Sequence, residues 1–356
     1  MENKINLNRF ALTKDRTRYL PGGELTEAVE IAIALDKPLL ITGEPGTGKT
    51  QLAHWLAEQL AQQTIGMDGA FRSKPFIFDT KSTSVASDLF YSYDAVSHFG
   101  KIQRIPQTKQ LSKEEEDLIL RQYIELRPMG LAIAQTHGTN FDDLRGIRNY
   151  YSSKKEEIKE TAERKDDKLK HDAPLEEAPM SSIVLIDEID KAPREFPNDL
   201  LNEMDNYQFE IKELNKTIKR AKNDCRIVVI LTSNDEKTLP NAFLRRCVFY
   251  HIEFPEGKRL LDIAKLKLSI PPDSQGFDNS ITEAINHFEL LRDKVVNKKP
   301  STAEFLDWIN LLYHLKDENN DSLLNGEGGP LHPSARSARF DGVLTKTQPD
   351  IEATRM

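Results

Sequence analysis

The chain has 356 residues, a formal net charge of −8 and two cysteines, which allows two or three domains and a sizeable core. Its negative charge gives no overall attraction to a phosphate backbone, so composition argues against a dedicated nucleic-acid-binding protein. Cys225 and Cys247 form no CxxC pair, no apolar run is long enough to span a membrane, and the first ten residues lack a signal-type apolar core; we therefore expect a cytoplasmic protein with reduced thiols and no membrane insertion.

The first elements lead directly to the most informative stretch of the chain. Residues 1–23 are a polar lead-in, and apolar positions in 24–35 recur at helical spacing, which predicts a helix. Residues 38–42 form a short apolar run that predicts a strand, and a helical pattern begins at 51. Between them lies a segment with the pattern GxxxxGKT. Strand, glycine loop and helix in this order are the context of a phosphate-binding loop.

The residue types of this segment suit the binding of a nucleoside triphosphate. Its glycines allow successive backbone N–H groups to turn inward around phosphate oxygens, and the following helix adds the positive end of its dipole. Lys49 supplies a charge for the β- and γ-phosphates, and the Thr50 hydroxyl can ligate Mg²⁺. The residues predicted to bind nucleotide are Gly43, Glu44, Pro45, Gly46, Thr47, Gly48, Lys49, Thr50 and Gln51.

A charged insertion separates this loop from the next strong signal. Residues 74–80 predict a strand, residues 87–93 predict a helix capped by the Ser-Asp pair at its start, and residues 112–127 predict a second helix. We expect about 100–180 to be an inserted region. Its later part, 136–179, alternates positive and negative charges with few large apolar residues, which predicts a solvated helix or loop.

Two adjacent carboxylates follow a strongly apolar strand. Residues Ile183–Ile186 predict a strand buried on both faces of a parallel sheet, and Asp187 and Glu188 lie at its end. Ligands bind at this end of the strands in open α/β sheets. Asp187 could hold Mg²⁺, and Glu188 could polarise the water that attacks the γ-phosphate. The alternative is an acidic strand end that faces solvent.

The next strand also ends in polar residues. Residues 209–214 alternate and residues 217–220 follow after a turn, which indicates a hairpin. Residues 226–234 predict another buried strand that ends at Asn234. Asn234 could hydrogen-bond to the γ-phosphate or the attacking water, or it could simply form a turn.

The remainder of the chain is predicted to be mainly helical. Residues 239–247 predict a short helix that carries two arginines, and residues 248–254 predict the last strand. Three amphipathic helices are expected over about 256–268, 281–296 and 302–315. The predicted organisation is a lead-in over 1–23, an α/β nucleotide-binding domain over 24–255, an α-helical lid over 256–316 and a disordered tail over 317–356.

Taken in order, these motifs resemble those of an AAA+ ATPase. The similarity covers about residues 24–316. Segments Tyr93–Ala95, Asp187–Ala192 and Leu244–Cys247 are similar to the MoxR-like branch of that family. The segments that carry the general resemblance are Gly43–Thr50, Leu185–Asp190, Thr232–Asn234 and Phe243–Cys247, followed by the helical region.

The resemblance implies a fold and several residue roles. The fold would be a P-loop NTPase parallel sheet flanked by helices, with ATP and Mg²⁺ between it and a small helical lid. Asn234 would correspond to sensor 1, and Arg246, with Arg245 as the alternative, to an arginine finger that reaches the γ-phosphate of the neighbouring subunit in a ring, usually of six. The lid arginine called sensor 2 is absent, because its matching position is Ala303. The insertion of about 100–180 would lie where the branch has its helix-2 insert.

These expectations give one leading hypothesis and two rivals. The leading hypothesis is Mg²⁺-dependent ATP hydrolysis by an oligomeric chaperone that remodels or activates a protein client, for which the family implies a von Willebrand factor A domain protein. One rival is an AAA+ motor or loader acting on nucleic acid, and the other is a nucleotide-gated scaffold with slow or absent hydrolysis. The nucleic-acid hypothesis would depend on one cluster of cations: Lys212, Lys216, Lys219, Arg220 and Lys222.

Overall fold

The structure is a computed structural model in which the chain divides into two compact units. It describes residues 18–106, 111–150, 175–234, 237–316, 322–336 and 340–355. The first unit comprises Met1–Gly23, Gly43–Leu52 and His251–Met356, and the second comprises Glu24–Thr42 and Ala53–Tyr250. The predictions for most of the lead-in and for the charged run within 151–174 lie outside the described residues.

The strands and helices of the described residues have the following bounds. The strands are Leu39–Gly43 (β1), Phe76–Asp79 (β2), Tyr91–Tyr93 (β3), Ile124–Leu126 (β4), Ser182–Asp187 (β5), Gln208–Ile211 (β6), Lys216–Lys219 (β7), Ile227–Thr232 (β8) and Val248–Ile252 (β9). The helices are Gly23–Ala34 (α1), Lys49–Gln63 (α2), Ala95–Gln103 (α3), Lys113–Arg121 (α4), Pro128–Gln135 (α5), Phe196–Asp199 (α6), Leu201–Asn206 (α7), Asn241–Leu244 (α8), Gly257–Leu268 (α9), Asp278–Lys294 (α10), Thr302–His314 (α11), Asp341–Leu344 (α12) and Gln348–Arg355 (α13). No helix in the described ranges combines the length and apolar character that a membrane crossing needs.

A five-stranded parallel sheet, with helices on its faces, forms the framework of the α/β fold. Its strand order is β2-β5-β8-β1-β9. Leu185 of β5 lies opposite Ile230 of β8, which in turn lies opposite Leu39 of β1. These side chains are buried, because a parallel sheet covered by helices on both faces selects continuous apolar strands. The predicted fold class is confirmed.

The segment between the second strand and the fifth helix differs from its prediction. The helix expected over 87–93 is instead a short 3₁₀ turn followed by β3, and the last part of the helix expected over 112–127 is β4. Tyr91 and Leu126 are opposite each other in this antiparallel pair. The first helix prediction is wrong, and the second is confirmed as α4 but wrong over Ile124–Leu126, because a strand of three residues is too short to show a distinguishable period. A partner distant in sequence decides the conformation.

A buried glutamine joins the two ends of the charged segment 136–179. The Gln135 side chain donates to the backbone carbonyls of Glu176 and Ala178, at 3.1 and 2.9 Å. Its amide oxygen accepts from Arg72 and from the backbone N–H of Glu176, each at 2.8 Å. Gln135 is buried, and these bonds offset the cost of removing its amide from water. Burial also lowers the pKa of Arg72.

The C-terminal helices enclose a second core. Helices α9, α10 and α11 lie where apolar periodicity predicts them. Phe288, Phe305 and Trp308 are fully buried in this core. Aromatic side chains bury large apolar areas, so these three rings are expected to dominate its stability.

Part of this core comes from the segment that composition predicted to be a disordered tail. Within 317–356, the described side chains of Leu324, Leu331, Phe340 and Leu344 are buried with the α9–α11 cluster. The prediction of disorder is therefore wrong for these described residues. A few leucines and one phenylalanine are enough to order this segment because they bury their side chains against the apolar surface of α9–α11.

Asp350 fastens the last helix to the connection between α10 and α11. Its carboxylate accepts from the backbone N–H groups of Val296, Asn297 and Lys298 at 3.1–3.2 Å, and from the Thr347 hydroxyl at 2.6 Å. The Thr347 hydrogen bond, followed by these backbone groups, lowers the pKa of Asp350 to about 2. Hydrogen bonds of this kind stabilise the ionised carboxylate.

We predict that Asp350→Asn lowers the midpoint of thermal unfolding at neutral pH, because the amide loses the charge that the three N–H groups stabilise. The folded-state pKa of Asp350 lies below its value of about 3.9 in an unfolded chain, so the stabilisation is present at neutral pH. It is lost as the pH falls from about 4 toward about 2. Thermal scans by circular dichroism should therefore show the gap between wild type and variant closing over that range. Asp293→Asn, at an exposed position on α10, is the control. A difference in unfolding midpoint between wild type and Asp350→Asn that does not change with pH would contradict the prediction.

Candidate functional site

The phosphate loop adopts backbone angles that favour glycine at three positions. Gly43, Gly46 and Gly48 have φ values of 146°, 81° and 93°. A Cβ atom on Gly46 would lie 2.8 Å from the Ser301 side chain, and one on Gly48 would lie 2.8 Å from the Tyr19 ring. Both the backbone conformation and the close packing therefore exclude a larger residue.

The loop's lysine is held by the loop itself. Lys49 is 7% exposed, and its ammonium donates to the backbone carbonyls of Gly43 at 2.6 Å and Glu44 at 3.0 Å. The Thr47 hydroxyl donates to the same Glu44 carbonyl at 2.8 Å. Lys49 begins helix α2, and Thr50 and Gln51 continue its first turn. These contacts fix the lysine close to the backbone that is predicted to surround phosphate.

The carboxylate pair lies where the sequence predicts, at the end of β5. Thr232, at the end of the adjacent β8, donates from its hydroxyl to Asp187 and accepts from the backbone N–H of Glu188 at 2.8 Å. Glu188 has a φ of 56°. A left-handed conformation costs a non-glycine residue roughly 1–2 kcal/mol, and such strain is concentrated at functional sites.

Glu188 is contacted on two sides. The Asn234 side chain donates to Glu188 Oε1 at 3.1 Å, and Lys191 forms an ion pair with Glu188 Oε2. Asn234 is fixed in turn by its backbone N–H, which donates to Asp190 Oδ2 at 3.0 Å. The structure thus brings Asn234 and Glu188 together, and their proposed roles in hydrolysis stay predictions.

The two arginines of the α8 region differ in their contacts. Arg246 donates from Nε to Asp205 Oδ2 at 2.9 Å and from Nη1 to the Ala242 carbonyl at 3.1 Å. Arg245 is exposed. Both side chains of the Arg246–Asp205 pair are nearly half exposed, and ion pairs at such positions contribute little to stability. The pairing therefore leaves Arg246 able to exchange Asp205 for another anion.

The cations around the β6–β7 hairpin are partly neutralised by nearby carboxylates. Lys216 pairs with Asp143, and Arg220 pairs with Asp36 at 3.3 Å. These ion pairs reduce the positive charge that the nucleic-acid hypothesis needs.

The cysteines and the acidic clusters of the described residues offer no other chemistry. Cys225 and Cys247 are both free, and burial raises the pKa of Cys247 to about 12, so its thiol remains protonated at neutral pH. Within the described ranges, no group of three or more His, Cys, Asp and Glu side chains is arranged to hold a metal ion. Mg²⁺ commonly uses one or two protein oxygens together with substrate phosphates.

Two contacts at the carboxylates were not predicted from sequence. Thr232 joins Asp187 to Glu188, and Lys191 neutralises Glu188. A polar residue at the end of an apolar strand was a usable signal for Thr232, whereas the Lys191 contact depends on the 3₁₀ turn Ile189–Lys191.

A protein family and several solved structures are similar to this chain. Residues 39–256 match the family model described as "ATPase family associated with various cellular activities (AAA)". No curated protein matches the chain. Among solved structures, NtrX from Brucella abortus in complex with ADP is 13% identical with a TM-score of 0.41, and the match covers 95% of this chain and 59% of that one. The Saccharomyces cerevisiae Hsp104–ADP complex is 16% identical with a TM-score of 0.38, covering 80% and 42%. The chain thus spans less than two thirds of each of these proteins.

The buried Thr232 hydroxyl generates a stability prediction. Thr232→Val keeps the shape of the side chain but leaves the Glu188 N–H without its acceptor, and it should destabilise the protein by about 1–3 kcal/mol. Thr217→Val, at an exposed position on β7, should change stability by less than about 0.5 kcal/mol. Urea unfolding followed by circular dichroism measures both variants. Equal midpoints for the two would show that the hydroxyl contributes nothing.

Proposed function

The chain belongs to the AAA family of ATPases, and from this premise we propose that it is a Mg²⁺-dependent ATPase of the MoxR-like type that acts in the cytoplasm as an oligomeric chaperone on a protein client. The observation that carries the proposal is the register of three neighbouring strands. Ile186 of β5 lies opposite Leu231 of β8, and Thr232 lies opposite Ile41 of β1. The carboxylates and the start of the phosphate loop therefore follow strand ends at the same edge of one sheet.

Each proposed binding residue has the chemistry that its role needs. Gly46, Gly48 and Lys49 would position the phosphates of ATP. Thr50 and Asp187 offer a hydroxyl and a carboxylate oxygen, which are the hard ligands that Mg²⁺ prefers. The ion would supply neutralisation of charge on the phosphates.

The proposed water-activating residue is Glu188. Its carboxylate could accept a proton from the attacking water, and Asn234 would orient that water or the carboxylate. Support comes from the Asn234–Glu188 hydrogen bond of 3.1 Å and from the strained backbone of Glu188, which fixes the direction of its side chain.

The proposed active form is a ring in which Arg246 acts on the nucleotide of the neighbouring subunit. Its guanidinium would exchange Asp205 for the γ-phosphate and stabilise charge that develops in the transition state. Arg245 is the alternative. The proposed client is a protein, with a von Willebrand factor A domain protein as the specific candidate from family resemblance.

The rival hypotheses have direct tests. Several-fold stimulation of ATP hydrolysis by single-stranded DNA would favour a nucleic-acid motor, although the Lys216–Asp143 and Arg220–Asp36 pairs weaken its basic surface. ATP binding without turnover by the wild-type protein would favour a nucleotide-gated scaffold.

The first functional prediction concerns Glu188. Glu188→Gln should bind ATP as the wild type does and lose turnover, because the amide cannot accept the proton of the attacking water. Loss of general-base catalysis typically costs about 10²–10⁴-fold in rate. Phosphate release measures turnover, and titration with a fluorescent ATP analogue measures binding. Hydrolysis at the wild-type rate would reject the assigned role.

The second functional prediction concerns Arg246 and its neighbour Arg245. Arg246→Ala should lower kcat by at least about 10³-fold, as expected for loss of an arginine finger, with ATP affinity retained. Arg245→Ala is the matched control on the next residue and should hydrolyse ATP normally. The reverse pattern would assign the role to Arg245, and full activity in both variants would exclude an arginine finger at this position.

A further inference from the structure

An arginine outside the recognised motifs contacts the phosphate loop. Arg292 lies in the last turn of α10 and donates to Glu44 Oε2 at 2.5 Å. Its guanidinium also donates to the Pro300 carbonyl at 2.6 Å and lies 3.8 Å from the centroid of the Phe254 ring. The Arg292 side chain is only 12% exposed. A ring, a carbonyl and a carboxylate thus hold this cation in a single position.

The carboxylate that pairs with Arg292 belongs to Glu44, and it lies in the loop that is proposed to bind the negatively charged phosphates. Glu44 directly follows Gly43 in the phosphate loop, and its backbone carbonyl accepts from the Lys49 ammonium. An unneutralised carboxylate in this loop would repel a nucleoside triphosphate. Half of the Glu44 side chain is exposed, so solvent screens part of that repulsion.

The segment that follows Pro300 packs against the loop at a second point, within the same compact unit. A Cβ atom on Gly46 would lie 2.8 Å from the Ser301 side chain and 3.2 Å from the Ala303 side chain. Ser301 is the residue after Pro300, the carbonyl of which accepts from Arg292. The loop is therefore contacted at two points: an ion pair with Arg292 at Glu44, and close packing against Ser301 and Ala303 at Gly46.

We propose that Arg292 is a positioning residue for nucleotide, which neutralises Glu44 and holds its carboxylate aside so that the loop presents N–H groups and Lys49 to the phosphates. This inference rests on the proposed binding of ATP. In the proposed role Arg292 acts on the nucleotide through Glu44, and it does not contact a phosphate itself. The difference makes the two cases separable by experiment.

The test compares Arg292→Ala, Glu44→Gln and the double variant in titrations with a fluorescent ATP analogue at low salt. Arg292→Ala should weaken binding by about tenfold, an estimate for an exposed anion beside the phosphates. Glu44→Gln keeps the backbone N–H groups of the loop but removes the repelling carboxylate, so it should bind the analogue more tightly than the wild type. The double variant should regain wild-type affinity, because the repelling carboxylate is gone.

Two results would overturn the proposal. A double variant as weak as Arg292→Ala would mean that the arginine charge itself is needed, and wild-type affinity in Arg292→Ala would mean that it has no role. The weakening in Arg292→Ala should also shrink at high salt, since the repulsion is partly screened.

Controls separate this inference from folding and from the proposed function. Lys294→Ala removes an exposed cation from the same helix and should not change affinity. If Arg292→Ala lowers the melting temperature, Arg292→Gln, which retains a donor for Pro300, replaces it in the same comparison. Failure of the wild-type protein to bind the analogue would reject the proposed function, whereas equal binding by wild type and both Arg292 variants would reject only the role of Arg292.

Discussion

Parallel pairing of β5, β8 and β1 is the constraint on which the candidate site depends. Because the three strands run in the same direction, their carboxyl ends lie at one edge of the sheet. Thr232 lies opposite Ile41 in this pairing and hydrogen-bonds to both Asp187 and Glu188. A shift of β8 by one residue would turn its hydroxyl to the other face and break both bonds. Buried apolar side chains on these strands therefore fix the register of the polar residues at their ends.

The contacts of Glu188 bear on its proposed role in ATP hydrolysis. In the described structure its carboxylate is shared between Lys191 and Asn234, both of which compete with a water molecule for its oxygens. Lys191 is about two-fifths exposed, so solvent or another anion can replace Glu188 as its partner at low cost. A movement of the 3₁₀ turn that carries Lys191 would release Glu188 Oε2 and leave Oε1 bonded to Asn234.

The phosphate loop depends on packing as much as on its glycines. Gly43, Gly46 and Gly48 each lie against an atom that a side chain would displace, contributed by Ile252, Ser301 and Tyr19. These neighbours are far from the loop in sequence but belong to the same compact unit. A shape held from several directions keeps the N–H groups oriented before ligand arrives, which reduces the ordering cost of binding.

The sequence by itself determined the elements with strong local signals. The apolar run before Asp187 and the glycine pattern before Lys49 each specify a strand or loop within a few residues, so the fold class and the candidate binding segments could be predicted. The tertiary structure alone decided the β3–β4 pair, the order of the tail and the contacts of Thr232, Lys191 and Arg292. Most of these depend on a partner far along the chain, whereas Lys191 contacts Glu188 because the 3₁₀ turn Ile189–Lys191 brings the two side chains together. Tyr91 becomes a strand residue because Leu126 lies beside it, and Leu331 is ordered because a helical core is available to bury it.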